Sequence, residues 1–186
     1  GVDYIVNLSG KSISCRWTNA AKKEILESRL NSSKTLYKLL SENDNSVKKV
    51  ISASAVGIYP SDFKNYQAEN EQRVNNDFLG DVCQKWEAEN LKFNELGIQT
   101  LIIRFGLVLS KHEGALPQFA KTLKSFTGGL LGSGKQWYSW IHYKDLVKIL
   151  YFGMNENLSG VYNGVAPNPK TQKEFLEALE EELRFL

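Results

Sequence analysis

Short apolar runs alternate along this chain with longer amphipathic stretches. Residues 1–6, 47–54 and 98–104 are apolar and rich in β-branched side chains, which predicts three buried β-strands. We expect the third strand to continue through residues 105–109. The first run closes in a small polar turn at residues 7–10, and a turn of this kind presents backbone to a ligand at the end of a parallel strand.

Helical periodicity fills the stretches between these strands. The first helix is predicted to run from an N-cap at Thr18 to about residue 40. A second helix is predicted between an N-cap at Asp77 and the terminating Gly97. The first helix is expected to bury Leu26, Leu30, Tyr37 and Leu40, and the second Leu79, Val82, Cys83, Trp86 and Phe93. Strands that alternate with helices of this length predict an α/β fold with a parallel sheet and right-handed crossovers.

The pattern changes after residue 110. Residues 111–142 are rich in glycine and aromatic residues, with one predicted helix near residues 117–126, and we interpret them as an insertion that closes over a site. A helix at about residues 144–153 and a short strand at residues 161–163 follow. Thr171 and Glu174 have the spacing of a capping box, which predicts the start of a last amphipathic helix.

Composition narrows the function classes. The chain has 186 residues, and 23 basic against 21 acidic residues leave a net charge of +2, which gives no electrostatic argument for binding nucleic acid or an anionic membrane. No apolar run approaches the roughly 20 residues of a membrane span. Cys15 and Cys83 stand far apart and form no C-x-x-C motif, so we expect no disulfide framework and a reducing, cytoplasmic setting.

Residues 129–135 have the spacing of a phosphate-binding P-loop. The next residue is Gln136, so the hydroxyl that would bind Mg²⁺ is absent, and the preceding stretch is predicted to be helical where a P-loop follows a strand. We therefore reject an ATPase and favour a glycine-rich substrate loop.

The two histidines, His112 and His142, lack a second ligand at metal spacing, so no metal site is predicted. For His142 we favour a structural imidazole that bonds a neighbouring backbone group. Ser52 and Ser54 end a predicted strand, where their hydroxyls could bind a substrate or satisfy backbone groups. No G-x-S-x-G motif supports a nucleophilic serine.

Arg16 and Trp17 follow the first strand on the side where open α/β sheets bind ligands. An arginine there could bind a phosphate or a carboxylate through its two-pronged guanidinium. The alternative is an ordinary surface loop, and the sequence leaves both open.

Taken in order, these segments resemble the extended short-chain dehydrogenase/reductase superfamily, and within it the YfcH-like group of NAD(P)-dependent epimerases. The resemblance covers essentially the whole chain. The shared motifs are Asn-Leu-Ser-Gly at 7–10, Arg-Trp-Thr at 16–18, Ser-Arg at 28–29, Ser-Ala-Ser-Ala-Val-Gly at 52–57, Trp-Glu at 86–87, Gly-Ser-Gly-Lys-Gln-Trp at 132–137, Ser-Trp-Ile-His at 139–142 with Asp-Leu at 145–146, and Asn-Gly-Val-Ala-Pro at 163–167.

The resemblance implies a Rossmann-type doubly wound parallel sheet with a small substrate-binding lobe. Residues 1–110 would be the C-terminal portion of the NAD(P)-binding domain, and residues 111–142 an insertion of the substrate lobe. Residues 143–186 would supply a returning helix and strand and the start of the C-terminal lobe. The cofactor implied is NAD(P), with NADP favoured, and the partners are a small-molecule substrate and a second copy in a possible homodimer.

The same resemblance assigns site residues. Those implied to bind the cofactor are Asn7, Leu8, Ser9, Gly10, Ser52, Phe105, Gly106, Leu107 and Val108. Those implied to face the substrate are Arg16, Trp17, Gln136, Trp137 and His142. Ser54 is the implied catalytic hydrogen-bond donor, and no metal is implied.

Two departures from the family pattern matter. The glycine-rich G-x-G-x-x-G turn would precede residue 1, so we expect this chain to be a fragment with an exposed sheet edge that binds a dinucleotide poorly without the missing N-terminal part. The catalytic Tyr-x-x-x-Lys pair is also absent, since Leu79 and Cys83 occupy its positions. Tyr59, Tyr138 or Tyr143 could substitute as the proton donor.

Two functions therefore stay open. The first is an NAD(P)-dependent epimerase/dehydratase-like or reductase-like protein that acts on a small polar or nucleotide-sugar-type substrate. The second is a non-catalytic NAD(P)-binding redox sensor or partner-binding module, which the missing Tyr-x-x-x-Lys pair favours.

Overall fold

The computed structural model describes residues 1–124 and 132–184. The strands are β1 (Tyr4–Asn7), β2 (Lys49–Ala55), β3 (Gln99–Phe105), β4 (Leu107–Leu109), β5 (Trp137–Tyr138), β6 (Trp140–His142), β7 (Gly160–Gly164) and β8 (Lys170–Thr171). The helices are α1 (Asn19–Glu42), α2 (Phe78–Leu91), α3 (Ala115–Lys124), α4 (Tyr143–Asn155) and α5 (Gln172–Arg184), with 3₁₀ turns at Val56–Ile58 and Lys92–Leu96. Within these described ranges, no helix has both the length and the hydropathy of a bilayer span.

The chain divides into two compact units. The first contains Gly1–Ser61, Gln67–Arg104 and Leu150–Asn163. Its parallel sheet has the strand order β1-β2-β3-β7 and is flanked by helices, which confirms the predicted α/β class and Rossmann-like architecture. β1 pairs in parallel with β2, and this register sets Asn7 opposite Ser52 at the carboxyl ends of the two strands.

The core of this unit lies on the two central strands. Val50, Ile51, Leu101 and Ile102 are at most 1% exposed, as expected for strands covered on both faces. β1 differs, and the prediction of a buried first strand is wrong: Tyr4 and Val6 are 39% and 38% exposed. The reason is that β1 is an edge strand with a neighbour on one side only.

The two long helices begin where the sequence predicts. The Thr18 hydroxyl accepts a hydrogen bond from the Ala21 N–H at 3.1 Å, and the Asp77 carboxylate accepts one from the Gly80 N–H at 2.9 Å. The 3₁₀ turn after α2 ends at Gly97, whose φ of 72° is the left-handed conformation that glycine adopts readily. The buried face of α1 differs slightly from the prediction, because Ile25 is fully buried whereas Leu26 is only partly buried.

α4 begins one residue earlier than predicted and ends at Asn155. Its last turns pack on the sheet at Gly153, where an added Cβ would lie 2.5 Å from Leu101. The buried Lys49 at the start of β2 donates hydrogen bonds from Nζ to the carbonyls of Gly153 at 2.7 Å and Glu156 at 2.5 Å. Lys49 therefore satisfies carbonyl groups at the carboxyl end of this helix.

The second unit contains Asp62–Tyr66, Phe105–Ile149 and Gly164–Leu186. β4 pairs in parallel with β6, and β5 pairs antiparallel with β8. The capping box of α5 is confirmed: the Thr171 N–H donates to the Glu174 carboxylate at 2.8 Å, and the Glu174 N–H donates to the Thr171 hydroxyl at 3.3 Å. The helix predicted near residues 117–126 corresponds to α3, and its predicted end at residue 126 lies outside the described residues.

The prediction that the third strand continues to residue 109 is wrong. β3 ends at Phe105, and after Gly106 the chain enters β4, which belongs to a different sheet. A Cβ at Gly106 would lie 2.4 Å from the Ser139 carbonyl oxygen, and the same carbonyl accepts a hydrogen bond from the Leu107 N–H at 2.7 Å. The close backbone approach at Gly106 therefore directs the chain toward β6.

Candidate functional site

The carboxyl ends of β1 and β2 carry buried polar side chains. Asn7 is 6% exposed, and its Oδ1 accepts hydrogen bonds from the Ser9 N–H and the Ser32 hydroxyl, both at 3.2 Å. Its Nδ2 is buried and has no hydrogen-bond partner among the described residues. Opposite Asn7, the Ser52 hydroxyl donates to Asn90 Oδ1 at 3.0 Å, and the Ser33 hydroxyl donates to the same oxygen at 2.9 Å. Ser52 is thus held by α2.

A second buried network extends from Ser54. Its hydroxyl donates to Glu87 Oε1 at 2.6 Å, and Arg104 donates to both oxygens of Glu87 at 2.8 Å. Arg104 also donates from Nη1 to the Tyr59 phenol at 2.9 Å, and that phenol donates to Asn163 Oδ1 at 2.8 Å. The hydrogen bonds to Glu87 raise the pKa of Arg104 above its ordinary value, so the guanidinium stays charged. The five side chains form one connected hydrogen-bond network.

The sequence analysis did not assign Glu87, Asn90 or Arg104 to any role. A signal was present, because Glu87 and Asn90 lie on the otherwise apolar face of α2 and Arg104 ends an apolar strand. A charged residue at a buried position implies a buried partner.

Leu79 and Cys83 occupy the positions where the family pattern has tyrosine and lysine. Leu79 packs against Gly57, where an added Cβ would be 3.6 Å from the Leu79 Cβ. Cys83 is 4% exposed, and its burial, with the negative charge of Glu87, raises its pKa to about 11. The thiol is therefore protonated near neutral pH, and neither residue can exchange a proton with a substrate there.

Of the tyrosines proposed as substitutes, Tyr59 contacts a cation. The Arg104 guanidinium lies 5.0 Å from the Tyr59 ring centre and bonds its phenol. A cavity of about 210 Å³ opens beside these two residues. Tyr138 instead accepts a hydrogen bond from Gln172 at 3.2 Å, and the Tyr143 ring packs 4.8 Å from His142.

The turn after β1 lies along α1. The Lys11 N–H donates to the Ser28 hydroxyl at 2.9 Å, and Arg29 donates from Nη1 to the carbonyls of Lys11 and Ile25 at 3.0 and 2.9 Å. A Cβ at Gly10 would lie 3.0 Å from Arg29 Cζ, so the guanidinium lies directly against the turn. Leu8, Ser9 and Gly10 are exposed.

Arg16 and Trp17 are exposed in the loop that follows. Trp17 donates from Nε1 to the Ile13 carbonyl at 2.9 Å and packs edge-on to Phe78, with ring centres 5.5 Å apart. The indole is therefore ordered by its neighbours. The structure places both residues in the same unit as Asn7, Ser52 and Ser54.

Gln136, Trp137 and His142 belong to the second unit. Gln136 donates to Gln172 Oε1 at 2.9 Å, and Trp137 packs edge-on to Tyr66 at 5.5 Å. His142 Nδ1 accepts a hydrogen bond from the Lys144 N–H at 3.4 Å, which matches the structural role that the sequence favours for it.

The other predicted cofactor residues follow the break after β3. Phe105 ends β3, and Gly106 donates a backbone hydrogen bond to the Gly164 carbonyl at 3.3 Å. Leu107 and Val108 lie in β4, where they are partly buried opposite Trp140 and Ile141.

The glycine-rich segment does not resemble a phosphate loop where it is described. The Gly134 and Gln136 carbonyls accept hydrogen bonds from the N–H groups of Lys173 and Gln172, at 3.1 and 2.9 Å. A P-loop binds phosphate through backbone N–H groups, whereas here backbone carbonyl oxygens face the first turn of α5 and accept hydrogen bonds from it. These residues therefore do not form the N–H cradle of a P-loop. Residues 129–131 lie outside the described residues. Over the described ranges, no group of three or more His, Cys, Asp and Glu side chains has an arrangement suited to a metal ion.

Comparison with known proteins gives a consistent family. The family model described as "NAD dependent epimerase/dehydratase family" matches residues 1–163. An epimerase family protein of Staphylococcus aureus strain N315 is 39% identical over 175 residues, which is 94% of this chain and 58% of that protein. The chain therefore spans less than two thirds of the length of the curated relatives that it matches.

Solved structures agree with this assignment. The human epimerase family protein SDR39U1 (isoform 2), crystallised with NADPH, superimposes with a TM-score of 0.89 at 30% identity, over 99% of this chain and 63% of that one. A nucleoside-diphosphate sugar epimerase from Corynebacterium glutamicum gives a TM-score of 0.78 at 32% identity, over 100% of this chain and 40% of that one. From its sequence, its sheet and these matches, the chain belongs to the NAD-dependent epimerase/dehydratase family.

Proposed function

We propose that this chain is part of an NAD(P)-dependent epimerase/dehydratase-like or reductase-like enzyme that acts on a small polar, nucleotide-sugar-type substrate. The observation that carries the proposal is the row of buried polar side chains, Asn7, Ser52 and Ser54, at the carboxyl ends of adjoining parallel strands. Open α/β sheets bind their ligands at these ends. The family membership and the sugar-nucleotide epimerase among the similar structures support the same substrate class.

The residues present fit a dinucleotide. The Nδ2 of Asn7, which has no partner within residues 1–124 and 132–184, offers buried donors beside the exposed turn at Leu8, Ser9 and Gly10. These residues, with Ser52 and the segment from Phe105 to Val108, would hold the cofactor, and we favour NADP because the human relative was crystallised with NADPH. When bound, the cofactor would supply hydride transfer. Arg16, Trp17, Gln136, Trp137 and His142 stay our candidates for contacts with the substrate.

We assign the proton-transfer role to Tyr59, with Ser54 as a hydrogen-bond donor. The Arg104 guanidinium donates to the Tyr59 phenol and the phenol donates to Asn163 Oδ1, so the hydroxyl is held in one orientation from which it could give its proton to a substrate oxygen. Glu87 holds Arg104 in place through two hydrogen bonds. Tyr59→Phe would lower kcat by about a hundredfold with little change in cofactor affinity. Tyr162→Phe, at a tyrosine that is 40% exposed on β7, is the matched control.

The second candidate function is a non-catalytic NAD(P)-binding redox sensor or partner-binding module. The observation that favours it is the pair Leu79 and Cys83, which removes the usual proton-transfer couple from α2 and leaves a buried thiol with a pKa of about 11 in its place. A protein of this kind would bind the dinucleotide and leave it unreacted.

One experiment separates the two functions. A full-length protein that contains this chain is titrated into NADPH while the nicotinamide fluorescence is recorded, and it is then incubated with NADP⁺ or NADPH and a panel of nucleotide sugars. Binding with turnover of a sugar supports the enzyme, binding without turnover supports the sensor, and the absence of binding contradicts both. Light scattering on the same sample tests the proposed homodimer. We also propose that the chain divides into residues 1–110 of the NAD(P)-binding domain, residues 111–142 of the substrate lobe, and residues 143–186 with a returning helix and strand and the start of the C-terminal lobe.

A further inference from the structure

We propose that Tyr66 and Trp137 form a subsite for the base of the nucleotide-sugar-type substrate. The Trp137 indole N–H would donate to a carbonyl oxygen of the base, and the Tyr66 ring would stack on its face. Both residues lie in the second compact unit. The subsite rests on the proposed function, because it assigns one part of the same substrate to two residues of this chain.

Trp137 carries an unused hydrogen-bond donor. Its Nε1 is buried and has no partner among residues 1–124 and 132–184. In the same unit, Trp140 donates from its Nε1 to the Asn168 carbonyl at 3.1 Å. A buried indole N–H normally finds a partner, and leaving it without one is costly. A ligand with an acceptor oxygen would supply the partner that Trp137 lacks.

The strand β5 directs Trp137 away from an aromatic cluster of this unit. Tyr138, the next residue, packs against Phe119 and Phe175, with ring centres 6.0 and 5.6 Å apart. Because successive side chains of a strand point to opposite faces, Trp137 lies on the other face, where its ring meets Tyr66. The indole is therefore available for contacts outside that cluster.

Tyr66 lies edge-on to this indole, with ring centres 5.5 Å apart and ring planes at 73°. It is 72% exposed, so few contacts hold its ring in this position. The backbone before it is ordered, since the Asp62 carboxylate accepts hydrogen bonds from the N–H groups of Lys64 and Asn65 at 2.8 and 3.0 Å. Rotation of the Tyr66 side chain would admit a ligand to the buried N–H, and side-chain changes of this kind are common on binding.

The two side chains suit a planar, uncharged heterocycle. Every nucleobase has a π-face that stacks on aromatic rings, and a pyrimidine such as uracil adds carbonyl oxygens that accept hydrogen bonds. Neither Tyr66 nor Trp137 carries a charge, so the pair is complementary to the base and not to the diphosphate of the substrate.

The test is calorimetric titration of uridine diphosphate into a full-length protein that contains this chain, with NADP⁺ in excess to occupy the cofactor site. Trp137→Phe keeps a ring against Tyr66 and deletes the N–H. Tyr66→Leu keeps an apolar side chain and deletes the ring. We expect each substitution to raise the Kd for uridine diphosphate about tenfold.

Two control variants separate binding from folding. Phe63→Leu, at an aromatic residue of the same turn that is 60% exposed, should leave the Kd unchanged. Trp140→Phe removes an indole N–H that already has a partner, so it should lower the Tm more than Trp137→Phe and leave the Kd unchanged. The expected signature of Trp137→Phe is thus weaker binding with little loss of thermal stability.

Three results would overturn the subsite. A Kd for Trp137→Phe and Tyr66→Leu equal to that of the unsubstituted protein would remove both residues from it and leave the proposed function intact. Weaker binding by Trp137→Phe with a Tm loss as large as that of Trp140→Phe would give Trp137 a structural role instead. If the unsubstituted protein turns over a nucleotide sugar but does not bind uridine diphosphate, only the subsite fails, whereas the absence of both contradicts the proposed function as well.

Discussion

At the scale of single residues, the most connected polar side chains of this chain are buried, at positions where the strand and helix patterns predict apolar residues. Glu87 and Arg104 are each 9% exposed and form a two-point ion pair, and Ser54 and Tyr59 bond to the same pair. Burying two charges is favourable only when every polar atom finds a partner, and this network comes close to that condition. The orientations of Ser54 and Tyr59 therefore depend on an ion pair between α2 and β3.

Removing one charge of this pair should be costly. Glu87→Gln keeps the shape of the side chain but leaves the Arg104 guanidinium buried without its counter-charge, so we expect a loss of about 3 kcal/mol in the free energy of unfolding, measured by urea denaturation. Asp81→Asn, in an exposed ion pair with Lys85, should change it by less than about 1 kcal/mol. Equal effects of the two substitutions would contradict the buried-network interpretation.

The Cys83 thiol should make stability fall in alkaline solution. Its pKa is about 11 in the folded protein against an ordinary value of 9.0, so between these values the folded state keeps a proton that the unfolded chain releases. The contribution is complete below about pH 9 and is lost as the pH rises through 11. We expect Cys83→Ala to remove about 1–3 kcal/mol of the decline seen between pH 8 and pH 11 in urea titrations. Cys15→Ala, at an exposed thiol, should leave the decline unchanged.

Residue-level prediction from sequence succeeded where the cause is local. Thr18, Asp77 and Thr171 cap helices because their side chains reach the N–H group three residues ahead, and that spacing is visible in the chain. The Glu87–Arg104 pair joins residues 17 apart on different elements, and the Tyr59–Arg104 bond joins residues 45 apart. Distances of this kind depend on tertiary packing, so the residue pattern could suggest that a partner exists but not which residue it is.

At the scale of elements, α2 positions most of the first network. Its N-terminus is held by Asp77 and by the close passage of Asn75, whose carbonyl would lie 2.0 Å from a Cβ at Gly80. The helix then presents Cys83, Glu87 and Asn90 to the sheet on one face. The periodicity predicted this face correctly but treated it as apolar, because periodicity identifies which positions are buried and not what the buried polar groups bond.

The cap of α2 should be measurable on its own. Asp77→Ala removes the acceptor of the Gly80 N–H, and we expect the free energy of unfolding to fall by about 1 kcal/mol in chemical denaturation. Asp44→Ala, at an exposed aspartate in the loop after α1, is the matched control and should have almost no effect. A loss of the same size in both variants would mean that the cap contributes nothing specific.

At the scale of the whole molecule, β1 lies at an edge of the sheet, as the sequence analysis expects from the family pattern. Every residue of β1 except Asn7 is apolar, as in a central strand, but Tyr4 and Val6 remain exposed. The parallel α/β sheet was predictable from the alternation of elements, whereas the small second unit, with its pairs β4–β6 and β5–β8, was not. Strands of two or three residues carry too little pattern to be recognised in advance.

An apolar strand at the border of a sheet should promote self-association. We expect Val6→Lys to reduce aggregation at high protein concentration, measured by light scattering, because a charge on an exposed edge strand opposes pairing with another chain. Leu39→Lys, at a leucine of α1 that is 56% exposed, is the control and should reduce aggregation less. If both act equally, general surface charge and not the edge is responsible.

The buried ammonium group of Lys49 has a consequence for kinetics. It joins the first residue of β2 to the end of α4, residues 104 positions apart in the chain, so this contact requires most of the polypeptide to be in place before it can form. Contacts with such long sequence separation tend to form late on the folding pathway. Stopped-flow refolding and unfolding of Lys49→Met should therefore show faster unfolding with an almost unchanged refolding rate, and a slower refolding limb would place this connection in the folding nucleus instead.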